Sequence, residues 1–259
     1  TRLDTFIDSA QKLMVVLGQS GCGKSALLAS WTMNHEAENP EEFVFLHFIG
    51  STSANSSHNV LLYRLLYELK KTFQIPKDMP GTFEELRKVF PNWLAMAAVK
   101  CPRLVLVLDG LNQLEDRDQA LNLGWLPESF PDNIRVIVST LPGPCLDALG
   151  KRAHDELHVQ PLNLEERLLL IDAYLGYYNK KLENFRARRI ASTKSTENPL
   201  FLRVLLEEIR QFGDYQKLDQ CIDYCLQSDS LEVLFNKKLE RLERDFERER
   251  PYLVRDALA

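Results

Sequence analysis

The sequence predicts an α/β fold: a five-stranded parallel sheet between helices, followed by an all-helical appendage. Three observations predict it. Five largely apolar runs are spaced through residues 1–160, as expected of strands covered on both faces. Amphipathic stretches of helical period separate them, the alternation of a doubly wound layer. After Pro161 only helical patterns follow.

The expected strands are Leu13–Leu17, Phe43–Phe48, Leu104–Leu108, Arg135–Ser139 and the short Leu157–Gln160. Between them, "HNVLLYRLLYELKKTF" places Leu61, Leu62, Leu65, Leu66, Leu69 and Phe73 on one continuous stripe. "TFEELRKVFPNWLAMAAV" opens with Thr82 and Glu85, the spacing of a capping box, and Pro91 should break or kink it. The helical part reads as "NLEERLLLIDAYLGYY", "FRARRIAST", "PLFLRVLLEEIRQF", "QKLDQCIDYCLQ" and "SLEVLFNKKLERLERDFERER". In the last of these, Leu231, Phe235, Leu239, Leu242 and Phe246 recur at helical spacings, as expected of a helix packed in a bundle. Three segments follow: an α/β domain over 1–160, a helical domain over 161–228, and a further helical segment over 229–259.

Composition narrows the function. A chain of 259 residues with 45% hydrophobic and 27% charged residues is that of an ordinary soluble protein. Its net charge of −5 is spread with both signs mixed, so no nucleic-acid surface is expected. Apolar runs stay under ten residues, too short for a membrane span, and the first residues are not a signal peptide. Five irregularly spaced cysteines read as reduced thiols of a cytoplasmic protein. Cys221 and Cys225 share a helical face, but no histidine pair of zinc-like spacing accompanies them. His47 falls inside a strand and reads as a core histidine. The chain lacks an initial methionine and stops within a helical pattern, so it reads as a piece of something longer.

The chemistry concentrates in "LMVVLGQSGCGKSALLASW". Gly18 to Ser25 match G-x-x-x-x-G-K-[ST], with a strand before and a helix after. Gly18, Gly21 and Gly23 let the backbone curl its N–H groups inward, and the following helix aims its positive end at the same point. The expected phosphate cradle is Gly18, Ser20, Gly21, Cys22, Gly23, Lys24, Ser25 and Ala26. Lys24 supplies charge to the β- and γ-phosphates, and Ser25 offers an oxygen to Mg²⁺. Cys22 reads as a small residue at a permissive position, or alternatively as a thiolate made acidic by the helix terminus. "RLVLVLDGLNQL" supplies the second half of the site. Asp109 ends a buried strand about 85 residues after Lys24 and should hold Mg²⁺ through its waters. ATP or ADP is expected over GTP, because "NKKL" at Asn179 and at Asn236 does not complete the Asn-Lys-x-Asp turn that reads guanine.

The loop, "LVLVLDGLNQLED", "RVIVST" and "ENPLFL" in this order resemble the NACHT-type NTPases of the STAND class, in the flavour of nephrocystin-like and telomerase-associated multidomain proteins. The resemblance implies a P-loop NTPase sheet in the order 5-1-4-3-2. It implies Ser139 or Thr140 as a polar sensor near the γ-phosphate and Pro199 as a contact to the base. It also implies a switch: ADP clamps the NTPase, helical and winged-helix parts, ATP opens them, and oligomers form. The segment over 229–259 would lead into that winged helix, and protein partners would bind other domains. The sequence departs from the pattern at two visible points. The two acids of D-G-x-D-E are replaced by Asn112 and Gln113, and the arginine that often ends the sensor strand is Leu141. Lys24, Asp109 and Gln113 are therefore the catalytic candidates for a slow hydrolysis. The alternative is a competent Mg²⁺-dependent ATPase that remodels a partner complex.

Overall fold

The structure, a computed structural model, describes residues 1–246. It divides into two compact units, Thr1–Val159 and a second beginning at Gln160. In the first unit the elements run α1 (Arg2–Ile7), β1 (Leu13–Leu17), α2 (Lys24–Glu38), β2 (Phe43–Phe48), α3 (His58–Phe73), α4 (Phe83–Ala98), β3 (Leu104–Asp109), β4 (Ile134–Ser139), α5 (Pro144–Leu149) and β5 (Asp155–His158). The sheet is fully parallel in the order β2-β3-β4-β1-β5. This is the order that the family resemblance implies.

Strand alternation builds two cores on the two faces of this sheet. Leu13, Val15, Leu106, Leu108, Val136 and Val138 face α3, α4 and α5, where Leu65, Phe90, Trp93 and Leu149 fill the layer. Met14, Val16, Val105, Val107 and Ile137 face the other way, against Leu3, Phe6 and Ile7 of α1 and Leu28 and Trp31 of α2. The same alternation turns Asp109 and Ser139, at the carboxyl ends of β3 and β4, toward the α2 face. That is the face on which the glycine-rich loop opens.

Three sequence expectations are corrected. The edge strand is Asp155–His158 rather than Leu157–Gln160, because pairing with β1 sets Met14 opposite Asp155 and Leu17 opposite His158. Its half-exposed, charged pattern is typical of an edge and carries no apolar run. Of the two outcomes expected at Pro91, the break does not occur: α4 continues to Ala98 with Pro91 on the exposed face, while Leu86, Phe90, Trp93, Leu94 and Ala97 stay buried. The capping box of Thr82 and Glu85 is present.

The second unit holds α6 (Leu164–Tyr177), α7 (Asn184–Ala191), α8 (Pro199–Gln211), α9 (Leu218–Leu226) and α10 (Leu231–Phe246) around Ile171, Ile190, Phe201, Leu205 and Ile222. The third correction is here. Among the described side chains of α10, Leu234 is buried, Leu231, Leu239 and Leu242 are half-buried, and Phe235 is 41% exposed. Lys238 and Arg241 extend the Leu234 side of the helix, reaching the buried Glu208 at 3.0 and 2.8 Å. Polar partners therefore share the packed face with Leu234, and the apolar spacing misses them. The side chain of Phe246 and the expected approach to a winged helix over 247–259 lie outside the described residues.

Candidate nucleotide site

β1 delivers the chain into the loop at Gly18, where φ is +155° and an added β-carbon would meet Cys22 Sγ at 2.6 Å. The Cys22 side chain is 8% exposed, tucked against that glycine, and its N–H donates to Gln19 O at 3.3 Å. Gly23 is the N-cap of α2 and offers no side-chain cap, so no side chain fills the helix's positive end. Lys24 Nζ folds over the loop and donates to the carbonyls of Gly18 (2.8 Å) and Gln19 (3.0 Å). Ser25 and Ala26 are exposed in the first turn of α2. The loop is thus a concave backbone held in shape by a buried thiol and an ammonium. That is the geometry for a phosphate chain.

Asp109 lies 5% exposed at the end of β3. Ser139 Oγ, fully buried on the neighbouring β4, donates to Asp109 Oδ1 at 2.5 Å and accepts from Gly110 N–H at 2.8 Å. Ser139 also pairs in register with Val16 of β1, so it stands between the loop strand and the Asp109 strand. The turn after Asp109, Leu111–Gln113, is a single 3-10 turn entered through Gly110 at φ +80°. Asn112 Oδ1 accepts from Leu141 N–H at 3.2 Å and ties this turn to the exit of β4. The Gln113 carboxamide lies over Gly50, where a β-carbon would fall 1.9 Å from its Oε1. Glu115, the next acid along, hydrogen-bonds through its N–H to Ser56 O, and its carboxylate pairs with Arg117 at 3.0 Å.

The residues fit a magnesium nucleotide. Mg²⁺ requires hard oxygen ligands and keeps several waters, and it neutralises phosphate charge when bound. One carboxylate oxygen of Asp109 not bonded to Ser139 and the exposed hydroxyl of Ser25 are donors of that kind. The structure thus gathers the loop, Asp109, Ser139 and Gln113 in the first unit. Pro199 belongs to the second unit, where it starts α8 behind Asn198, whose side chain accepts from the N–H groups of Leu200 and Phe201. Two features escaped sequence reasoning: the seat that Gly50 provides for Gln113, and the bond that commits Ser139 to Asp109. For the first, a signal was present, since a glycine closing "FVFLHFIG" marks a strand exit with positive φ.

Fold and loop together define a P-loop NTPase of the NACHT type. The chain belongs to the NACHT domain family, which it matches over residues 12–176. It is 31% identical to a TPR repeat-containing protein of Dictyostelium discoideum, over 95% of this chain and 17% of that protein. It is 25% identical to nephrocystin-3 of Xenopus laevis, over 89% of this chain and 18% of that protein. The chain thus spans less than a fifth of the length of these relatives, which places it with NTPase domains found inside larger multidomain proteins. Among solved structures, a Walker-type ATPase of Pyrococcus abyssi shares the fold at a TM-score of 0.61 with 15% identity, over 95% of this chain and 75% of that one. A STAND protein with a tetratricopeptide repeat sensor from Pyrococcus horikoshii has a TM-score of 0.50 with 16% identity, over 85% of this chain and 31% of that one. Among the described residues, no helix is long and apolar enough to cross a membrane.

Proposed function

We propose that this chain is a nucleotide-gated switch module that binds ATP or ADP with Mg²⁺ and hydrolyses ATP slowly. One observation carries the reading: the side chains presented beside Asp109 are amides. Gln113 is seated on Gly50, and Asn112 is tied to Leu141. Hydrolysis needs a group that orients or deprotonates the attacking water, and a positioned acid or base contributes about 10²–10⁴ in rate. A carboxamide orients water but takes no proton at neutral pH. The rest of the site retains what binding requires. Loop N–H groups and Lys24 hold the phosphates, and Ser25 and Asp109 hold the metal.

Several elements of this proposal rest on family resemblance. They are Pro199 as a base contact, a cytoplasmic setting, control of domain arrangement or self-association by the bound nucleotide, and protein partners recruited through other domains. The test is direct. The nucleotide released on denaturing the purified chain should be ADP or ATP, and phosphate release at saturating ATP should be slower than one turnover per second. A chain that releases no nucleotide and binds none on titration overturns the reading. Turnover of several per second favours the remodelling ATPase instead.

A further inference from the structure

Ser139 occupies the position at which the family resemblance implies a sensor of the γ-phosphate. The proton inventory of its hydroxyl argues for a different task. A serine hydroxyl has one proton to donate and two lone pairs to accept with. The proton is directed at Asp109 Oδ1 over 2.5 Å, and one lone pair receives the Gly110 N–H at 2.8 Å. To donate to a phosphate oxygen, the hydroxyl would have to abandon a charge-assisted bond to a carboxylate, one of the stronger hydrogen bonds available to it. It would also have to reach a ligand from a residue with no exposed surface. The neighbouring hydroxyl is committed as well, since Thr140 Oγ1 donates to Leu141 O at 3.1 Å. Of the polar groups at the end of β4, Ser139 therefore points toward the Asp109 carboxylate and the turn that follows it, and Thr140 toward the neighbouring Leu141 carbonyl.

We propose that Ser139 is a positioning residue for Asp109: it fixes the carboxylate by one oxygen, leaves the other for the metal's water shell, and does not read the γ-phosphate. The inference rests on the nucleotide-switch reading above and names the task of one residue within it. Gly110 completes the device, because its N–H holds the Ser139 oxygen so that the hydroxyl proton has a single direction.

Metal affinity and phosphate discrimination separate the two tasks. Mn²⁺ binding to the complex of the whole chain with ADP, followed by electron paramagnetic resonance, reads the first. The ratio of ATP to ADP affinity in the presence of a chelator reads the second. Outer partners of metal ligands typically contribute about 10–100-fold in metal affinity. Ser139→Ala should accordingly raise half-saturating Mn²⁺ about tenfold and leave the ATP-to-ADP ratio unchanged. Ser139→Thr, which keeps the hydroxyl, should restore Mn²⁺ binding. If Ser139→Ala does not fold, Ser139→Cys, a weaker donor of similar size, carries the same comparison. Unchanged Mn²⁺ binding in the variant overturns the inference, and so does a ratio that collapses while Mn²⁺ binding holds. A wild-type chain that binds no nucleotide overturns the switch reading and this inference with it.

Discussion

The Gln113 carboxamide occupies the space that a side chain at Gly50 would need. A β-carbon at Gly50 would lie 1.9 Å from Gln113 Oε1 and 2.9 Å from its Cδ, and the backbone there has φ +78°. The absence of a side chain at the exit of β2 thus decides where an amide stands at the exit of β3. Gly50→Ala should expel Gln113. The left-handed backbone alone costs a substituted residue about 1–2 kcal/mol, and the overlap adds to it. Removing the Gln113 carboxamide as well should relieve most of the second part, with only the β-carbon left at 3.0 Å, but not the first. In a double-mutant cycle by urea unfolding, Gly50→Ala with Gln113→Ala should therefore be more stable than the two single losses added together. Strict additivity would show that the two residues do not share this space.

Lys24 donates to the carbonyls of Gly18 and Gln19 and, more weakly at 3.9 Å, to Cys22 Sγ, all within its own loop. Lys24→Ala should cost the fold about 1 kcal/mol or less, since water replaces exposed bonds of this kind. It should weaken ATP binding at least tenfold, about 1.4 kcal/mol, because the ammonium is the loop's one side-chain cation. Ser25→Ala should weaken binding mainly when Mg²⁺ is present. Titration with fluorescent ATP, with and without a chelator, measures both. Equal affinity of both variants and the parent chain removes the loop from the site.

Strands β1 and β3 were legible because burial on both faces writes an unbroken apolar run, β2 and β4 because one polar residue each, His47 and Arg135, barely interrupts theirs, and Asp109 because an acid closing such a run has little structural reason to be there. The edge strand was misplaced for the converse reason, since Glu156 and His158 face outward and leave no run to read. The task of Ser139 was hidden more deeply. Its bond joins residues 30 positions apart, and it exists only because the register of β3 on β4 brings two strand ends level. Nor does periodicity foresee that Lys238 and Arg241 of α10 meet Glu208 on α8. Sequence patterns report which residues seek burial. They do not report which polar atoms meet once burial is achieved.

Two buried imidazoles give stability a pH dependence of known sign. His47 is fully buried on β2, and Arg64 Nη1 stands 3.1 Å from its Nδ1. Burial first, and then the guanidinium, push its pKa below the usual 6.5. Burial likewise lowers His58, at the start of α3, with Asp118 opposing. The unfolded chain binds protons at 6.5 that the folded chain refuses, so this stability is complete above that pH and declines as pH falls below it. The slope is at most about 1.4 kcal/mol per pH unit for each imidazole. Glu207, held at about 2 chiefly by Arg210, adds a separate loss only as pH falls below its usual 4.5. Thermal melts at pH 7.5 and 5.5 should show a lower Tm at 5.5, with a smaller difference in His47→Gln combined with His58→Gln. A parent Tm equal at both values refutes the account.

The rate of hydrolysis is the property on which the switch reading turns. Asp109 accepts from Ser139 and, in the proposed reading, faces the metal, while the Glu115 carboxylate pairs with Arg117. The groups left beside the expected γ-phosphate position are the Asn112 and Gln113 amides, which can hold a water but not accept its proton. Converting them to acids in place supplies the missing base while keeping side-chain length. The Leu141 N–H that now donates to Asn112 Oδ1 at 3.2 Å would serve a carboxylate there equally well. Asn112→Asp together with Gln113→Glu should therefore raise single-turnover hydrolysis tenfold or more, about 1.4 kcal/mol of barrier. ATP affinity should stay within a few-fold, because neither residue belongs to the phosphate loop. Gln113→Glu should contribute most of the gain, since the side-chain oxygen at position 112 is engaged by the Leu141 N–H. If the double variant turns over no faster while still binding ATP, slow hydrolysis has a cause other than the missing base. Remodelling, rather than switching, is the better description if the parent chain itself releases phosphate several times per second.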